Sequence, residues 1–355
     1  MKILYLAPRP HVGGLQTTLR SRINALAARG IAAEVFFFGP GDGLYLFAHI
    51  PHRIISGPAE FRKAIRAGRY DYISFIYSLD YLPHVPASFT GKIVYELRGW
   101  NDNIARAVEQ ITPTSRVSAI VCIARYLEPI VKQHLKCAVP VYVDGNAVDP
   151  QFRFVPPGER IWSAAPRPRR KRCVIAFVGR VESTKNWREC VDICRLAARS
   201  VNLELWIVCN PNTSRHLSRM LAACAAAGLE KRTRVVPHVP NHLMPELYAT
   251  IKSSGGCMLS TSLREGLGNH ILEPMACGLP IVSSNVPGKN EIITHRHNGM
   301  LYTLGDTARA ARYVSEVIGN QTLRLKLARR GLAHIRKYYN PSRYVDRYLR
   351  ILGKL

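Results

Sequence analysis

The chain has 355 residues and a mass of 39.8 kDa, more than one compact core of roughly 250 to 300 residues holds, so two domains are expected. With 47% hydrophobic and 21% charged residues the composition excludes wholesale disorder, and no apolar run approaches the roughly 18 to 20 residues that a membrane-spanning helix needs. Against 24 Asp and Glu stand 50 Lys and Arg, a formal charge of +26, which points to an anionic partner such as a nucleic acid, an anionic lipid surface or phosphorylated substrates.

The excess charge belongs to the second half. Up to Pro150 there are 17 basic and 11 acidic residues, and after it 33 and 13. Two segments concentrate it: Arg167, Arg169, Arg170, Lys171 and Arg172, and the tail from Arg309 to Leu355 with twelve basic and two acidic residues. Taken singly, each of these residues reads first as part of a solvated face. The nine cysteines lie one by one in apolar stretches without CxxC pairs, as buried thiols of a reducing compartment do. The opening MKILYLAPRP is too short for a secretory signal, so a cytoplasmic location is expected, with a peripheral place at the inner membrane face beside it.

In chain order, KILYLAP reads as a buried strand, HVGG as a turn, and Leu15, Leu19, Ile23 and Leu26 as one face of a helix that Gly30 stops before the strand IAAEVFFF. DYISFIYS, KIVYEL, SAIVCIA and PVYVDG follow, about six strands in all, and such alternation of strand and helix implies a parallel sheet. GNAVDPQFRFVPPGERIWSAAPRPRRKR breaks the pattern. Beyond it CVIAFVG, LELWIVC, TRVVPHV, GCMLSTS, LPIVSSN and HNGMLYT give six more strands, and from about Asp306 the chain is helical and basic. The expectation is two doubly wound α/β domains, 1–155 and 173–338, facing each other about a 156–172 linker, with ligands at the carboxyl ends of the strands.

Three strand-to-helix loops carry candidate chemistry. In PRPHVGGLQTT, Gly13 and Gly14 bring free backbone N–H groups and a positive helix end to one place, equally suited to a tight turn or to phosphate contact. In FVGRVESTKNW, Arg180 and Lys185 sit between a strand and the helix beginning near Trp187, where they would grip a diphosphate or form surface ion pairs. In STSLREGLGNHILEPMACGLPIVSS, Gly266 and Gly268 lead into a helix from about Asn269, and the carboxylates of Glu265 and Glu273 can face one pocket and accept hydrogen bonds from sugar hydroxyls. The alternative makes Glu273 a helix-dipole residue and Glu265 a solvated acid.

FVGR with its lysine, the Glu-x7-Glu stretch and the N-terminal Gly-Gly loop together resemble the retaining glycosyltransferases of family 4, of GT-B fold. The resemblance runs along nearly the whole chain, taking in VDGNAVD, VVPHVPNHLMPELYA and the C-terminal helix, 339–355, which in the family packs back on the first domain. It implies transfer of a sugar from a UDP- or GDP-sugar to a hydroxyl acceptor with retention of configuration, without metal or cofactor. Arg180, Lys185 and Glu265 would be the catalytic set, the two cations on the diphosphate and Glu265 on the transferred sugar. Glu273 would hold the ribose, and Gly13, Gly14, Gly268, Asn269 and His270 would lend backbone amides to the donor. Relatives often carry a histidine after a first-domain strand; here YELRGWND makes Glu96, Arg98 and Trp100 the acceptor-side candidates. Asn186 replaces a usual glycine, and Asn269 and His270 replace apolar residues, changes that bear on sugar choice. Expected partners are the nucleotide-sugar, a lipid-linked, polysaccharide or small-molecule acceptor in cell-envelope synthesis, and an anionic membrane surface, with no nucleic acid. The rival readings are a nucleotide-sugar epimerase of the same fold and a nucleic-acid-binding or non-catalytic relative.

Overall fold

A computed structural model describes residues 1–156, 159–169 and 172–355. Arg170 and Lys171 of the basic segment, and residues 157 and 158 of the expected linker, lie outside the described residues. The chain divides into two compact units, Met1–Asp149 with Tyr339–Leu355, and Pro150–Tyr338.

The first unit runs β1 (Lys2–Ala7), α1 (Gly14–Ala27), β2 (Ala32–Phe37), β3 (His52–Ile54), α2 (Pro58–Gly68), β4 (Tyr72–Ile76), β5 (Lys92–Leu97), α3 (Asp102–Glu109), β6 (Val117–Cys122), α4 (Leu127–His134) and β7 (Val141–Val143). Its strands form a parallel sheet in the order β3-β2-β1-β4-β5-β6-β7. β1 is central and covered on both faces, so KILYLA is an unbroken apolar run, buried from Ile3 onward. The sheet has seven strands where about six were expected. The extra one, β3, is three residues of HRI at the sheet edge, too short and too polar to announce itself by periodicity.

The second unit runs β8 (Cys173–Val178), α5 (Trp187–Ala197), β9 (Leu203–Cys209), α6 (Leu217–Ala226), β10 (Thr233–Pro237), α7 (Met244–Ser253), β11 (Cys257–Ser260), α8 (Asn269–Ala276), β12 (Ile281–Ser284), β13 (Met300–Tyr302), α9 (Thr307–Gly319) and α10 (Gln321–Tyr338). Its parallel order is β10-β9-β8-β11-β12-β13. α5 buries Trp187, Cys190, Val191, Cys194 and Ala197 at helical spacing against the sheet. α8 ends in a Schellman turn: Gly278 sits at φ 71, its N–H donates to Met275 C=O at 3.0 Å, and Leu279 N–H reaches Pro274 C=O at 2.9 Å.

Pro150 to Arg172, set apart in part as a linker by composition, groups with this second unit. Packing and hydrogen bonds tie it to α7. The Phe152 ring lies 6.4 Å from Tyr248, and the Trp162 N–H donates to the Glu246 carboxylate at 2.8 Å. Composition recorded the missing periodicity and not these contacts.

The last helix, α11 (Pro341–Leu352), belongs to the first unit. Tyr344, Val345 and Tyr348 are fully buried there, each worth about 1.5 to 3 kcal/mol by apolar burial, and Arg347 Nε donates to Asp144 Oδ1 at 2.9 Å. All nine cysteines are free thiols, seven of them buried. Among the described residues no helix is long and apolar enough to cross a membrane.

Candidate active site

In the second unit β8 has β9 on one side and β11 on the other, so the chain reverses its winding at β8. The carboxyl ends of β8 and β11 therefore flank the point where doubly wound sheets bind ligands. The loop leaving β8 carries Arg180 and Lys185, and the loop leaving β11 carries Glu265.

Backbone and side-chain bonds zip these loops together. Leu263 N–H donates to Thr184 C=O at 2.9 Å, Thr261 Oγ1 to Lys185 C=O at 2.8 Å, and Lys185 Nζ to Glu265 Oε1 at 2.5 Å. Gly179 adopts φ 127 and turns the chain sharply at the end of β8, with the Lys185 side chain alongside. Arg180 is exposed, and among the described residues no carboxylate pairs with it. Asn186, at φ 49, takes the left-handed conformation that asparagine tolerates, so the missing glycine is covered before α5 begins.

Glu265 is flanked by His270, whose Nε2 is 3.7 Å from Oε1 and shares a hydrogen bond with Ser260 Oγ at 2.9 Å. Burial, with the charges of Lys185 and Lys289 acting the same way, pushes the imidazole down to about 3, so His270 is neutral near pH 7. Burial works against ionisation of Glu265, but the Lys185 charge and the hydrogen bonds from Lys185 and Ser262 hold its carboxyl below the usual range. With the imidazole neutral, Lys185 supplies the pull. The side chains of Lys185 and Glu265 remain 24% and 15% exposed, enough for both to meet a ligand.

Gly268 is the N-cap of α8 and, having no side chain, gives that helix no side-chain cap. A Cβ at Gly268 would lie 2.8 Å from the His270 ring, so glycine lets the imidazole fold over the loop. Asn269 and Glu273 are four apart on one face of α8 and both are half-buried. Glu273 lies beside Tyr248 and Cys277, and adds to the burial that already raises both of those groups.

One residue of this site escaped the sequence reading. Lys289, in the turn after β12, is fully buried, and its ammonium donates to Ser284 Oγ at 2.6 Å and to the C=O groups of Ser262 at 3.1 Å and Ser260 at 3.4 Å. It lies beneath the loop that bears Glu265. Burial, opposed by Glu265 and Glu189 and aided by Lys185, pushes it down to about 7. The preceding Gly288, at φ 84, is pressed on the same loop, since a Cβ there would lie 2.3 Å from Gly266 O. Only its position after the strand paired with β11 could have drawn notice to Lys289.

The remaining candidates lie in the first unit. Gly13 precedes α1 in an extended conformation that any residue adopts, and a Cβ there would meet nothing closer than 3.7 Å, so the fold itself does not ask for glycine. The acceptor-side expectation needs correction. Glu96 is fully buried: its oxygens take Arg22 Nη1 at 2.6 Å, Arg22 Nη2 at 3.0 Å, Ser74 Oγ at 2.6 Å, Tyr348 OH at 3.2 Å and a further bond from Arg98. Arg98 is itself only 8% exposed, so the pair serves the interior, and Trp100, stacked at a tilt 5.1 Å from His134, is the one of the three left half-exposed.

Residues 159–334 match the family described as Glycosyl transferases group 1. The 2-deoxystreptamine glucosyltransferase of Streptomyces kanamyceticus is 27% identical over 215 residues, 59% of this chain and 54% of that one. The lipopolysaccharide core biosynthesis glycosyltransferase LpsE of Rhizobium meliloti is 33% identical over 93 residues, 26% and 27% of the two chains. The chain thus spans about half or less of the curated relatives it matches. In structure, Anabaena HepE, solved with UDP and glucose, superposes with a TM-score of 0.82 at 19% identity over 100% of both chains. Sucrose-phosphate synthase from Thermosynechococcus elongatus does so with 0.78 at 16% identity over 99% of each. These likenesses give the GT-B fold. By sequence, residues 159–334 are those of a group 1 glycosyl transferase, and both units share the GT-B fold.

Proposed function

We propose that the protein is a retaining, metal-independent glycosyltransferase of family 4 that moves a hexosyl group from a nucleoside-diphosphate donor to a hydroxyl acceptor. The observation that carries this reading is the Lys185–Glu265 pair at 2.5 Å, set at the switch point of the sheet, with Arg180 on the same loop as Lys185 and paired with no carboxylate among the described residues. Arg180 and Lys185 hold the donor diphosphate and neutralise charge as it leaves, the role a metal plays elsewhere. Glu265, ionised throughout the neutral range, accepts hydrogen bonds from the sugar, and in doing so shares Lys185 with the phosphate. Glu273 receives the ribose hydroxyls, and the positive N-terminal end of α8 favours the anionic end of the donor. As the acceptor oxygen bonds to the anomeric carbon, the bond to phosphate breaks, its electron pair stays with the nucleoside diphosphate, and a phosphate oxygen takes the acceptor proton on the same face.

HepE was solved with UDP, which makes UDP-sugars the first donors to try, with GDP-sugars next. An acceptor in cell-envelope polysaccharide or glycolipid synthesis is supported by the likeness to LpsE and by the basic surface, and a cytoplasmic protein reaching the inner membrane face fits both. The test is a thermal-shift and calorimetric panel of nucleotides and nucleotide-sugars, with magnesium and with EDTA. One nucleotide class should bind equally in both, and Glu273→Ala should weaken it about 10- to 100-fold, the worth of a hydrogen bond to a charged group. Unchanged affinity in that variant removes Glu273 from the ribose, and strict dependence on magnesium removes the two-cation mechanism. Product stereochemistry by proton NMR decides retention.

A further inference from the structure

At the opposite end of the same sheet a cationic cavity opens, of about 840 Å³, lined by Arg160, Arg167, Arg169 and Arg172 with Ile161 and Trp162. Cys173, the first residue of β8, is part of its wall, whereas Arg180 follows the last, so the six-residue strand puts roughly 20 Å between this cavity and the donor loop. The arginines are poorly neutralised. Among the described residues Arg160, Arg167 and Arg172 pair with no carboxylate. Arg160 gives its Nη atoms to neutral hydroxyls, Ser253 at 2.9 Å and Thr250 at 3.5 Å, and its buried Nε has no partner. Arg172 donates to the C=O of Lys231, at 2.6 Å. The acids bonded to this wall are already occupied: Glu204 lies between Arg169 and Arg234, and Glu246 accepts the Trp162 N–H.

Four guanidinium groups around a cavity, with donors left over, call for a ligand with several anionic oxygens. The rim decides which kind. Ile161 is 80% exposed and Trp162 half-exposed, right beside the arginines. A soluble phosphate has no use for a projecting aliphatic side chain, whereas a membrane interface takes the apolar group among its acyl chains and the cations among its phosphates. We propose that this cavity is a docking site for the phosphate headgroup of an anionic phospholipid. It goes beyond the donor reading and does not depend on it, for it lies at the other end of the sheet.

The full chain would be pelleted with vesicles of phosphatidylcholine alone and of phosphatidylcholine mixed with phosphatidylglycerol. The wild type should pellet with the mixed vesicles only. Partition should fall about fivefold for each of Arg160→Gln and Arg167→Gln, and fall again for Ile161→Ser. Arg167 is exposed and makes no side-chain bond that the fold needs, so its variant keeps the test open if the half-buried Arg160 position disturbs folding. Equal pelleting of wild type and Arg167→Gln overturns the proposal. So does a loss confined to Arg343→Gln in the tail, or stabilisation by inorganic pyrophosphate without vesicle binding, which would assign the cavity to a soluble phosphate. Nucleotide binding by the wild type and Arg167→Gln in the same preparations separates failure of this site from failure of the donor site.

Discussion

Glu96 lies near the carboxyl end of β5 and Glu265 in the loop that follows β11, and each pairs with a cation, yet the two clusters are built to different ends. Around Glu96 every carboxylate lone pair is taken, with Arg22 and Glu96 no more than 1% exposed and Tyr344 and Tyr348 closing over them. Around Glu265 the pair with Lys185 is part open, the neighbouring imidazole is held neutral, and Arg180, on the same loop as Lys185, has no acid partner among the described residues. A saturated buried ion pair cannot exchange partners without leaving a charge in low dielectric, whereas a half-open one can hand its lysine to a ligand. Saturation marks structure, and incompleteness marks the site.

The largest effect should come from breaking the closed cluster. Glu96→Ala leaves the Arg22 guanidinium buried without its counter-charge, a loss of about 3 to 5 kcal/mol, or about 10 °C in the melting temperature of a unit this size. Calorimetry or denaturant melts measure it. A shift of only a degree or two would mean that the tyrosines alone hold the arginine. Next, Lys185→Ala should lower kcat/KM by about 10²- to 10³-fold, as loss of one donor to a developing charge does, with a smaller change in melting temperature than Glu96→Ala. If the order of the two stability effects reverses, the contrast between the clusters fails.

Lys289 supplies the smallest and most specific test. Its folded pKa, about 7, lies below the usual lysine value of 10.5, so between those pH values the unfolded chain binds more protons than the native one. Stability should therefore rise with pH from about 7 towards 10, by a few kcal/mol at most. Lys289→Met, which cannot titrate, should flatten that rise. A slope that survives the substitution places the titration elsewhere.

Much of this was legible in the sequence, because doubly wound sheets write continuous apolar runs and glycine-marked loops into the chain. CVIAFV, LELWIVC and the later runs each became strands of the second unit, and α5 and α8 begin at Trp187 and Asn269 as the patterns require. Lys185 and Glu265 were readable as candidates from their loops, but their contact across 80 positions is a product of strand order. Lys289 was hidden for the same reason, its acceptors being two carbonyls and a hydroxyl that carry no sequence signal. Glu96 misled because YELRGWND looks like a loop motif, while the inward turn of its carboxylate depends on Arg22, 74 residues earlier, and Tyr348, 252 later.

α11 gives this protein an order of assembly. The ribosome delivers the whole second unit before Tyr344 and Tyr348, so the Arg22–Glu96 pair of the first unit gains these two partners only once α11 has emerged. Synthesis thus runs in the reverse of the usual vectorial sequence, in which the amino-terminal domain is finished first. A nascent chain arrested within α10 carries a foldable second unit and an unfinished first one, and it is the first that chaperones and proteases would recognise.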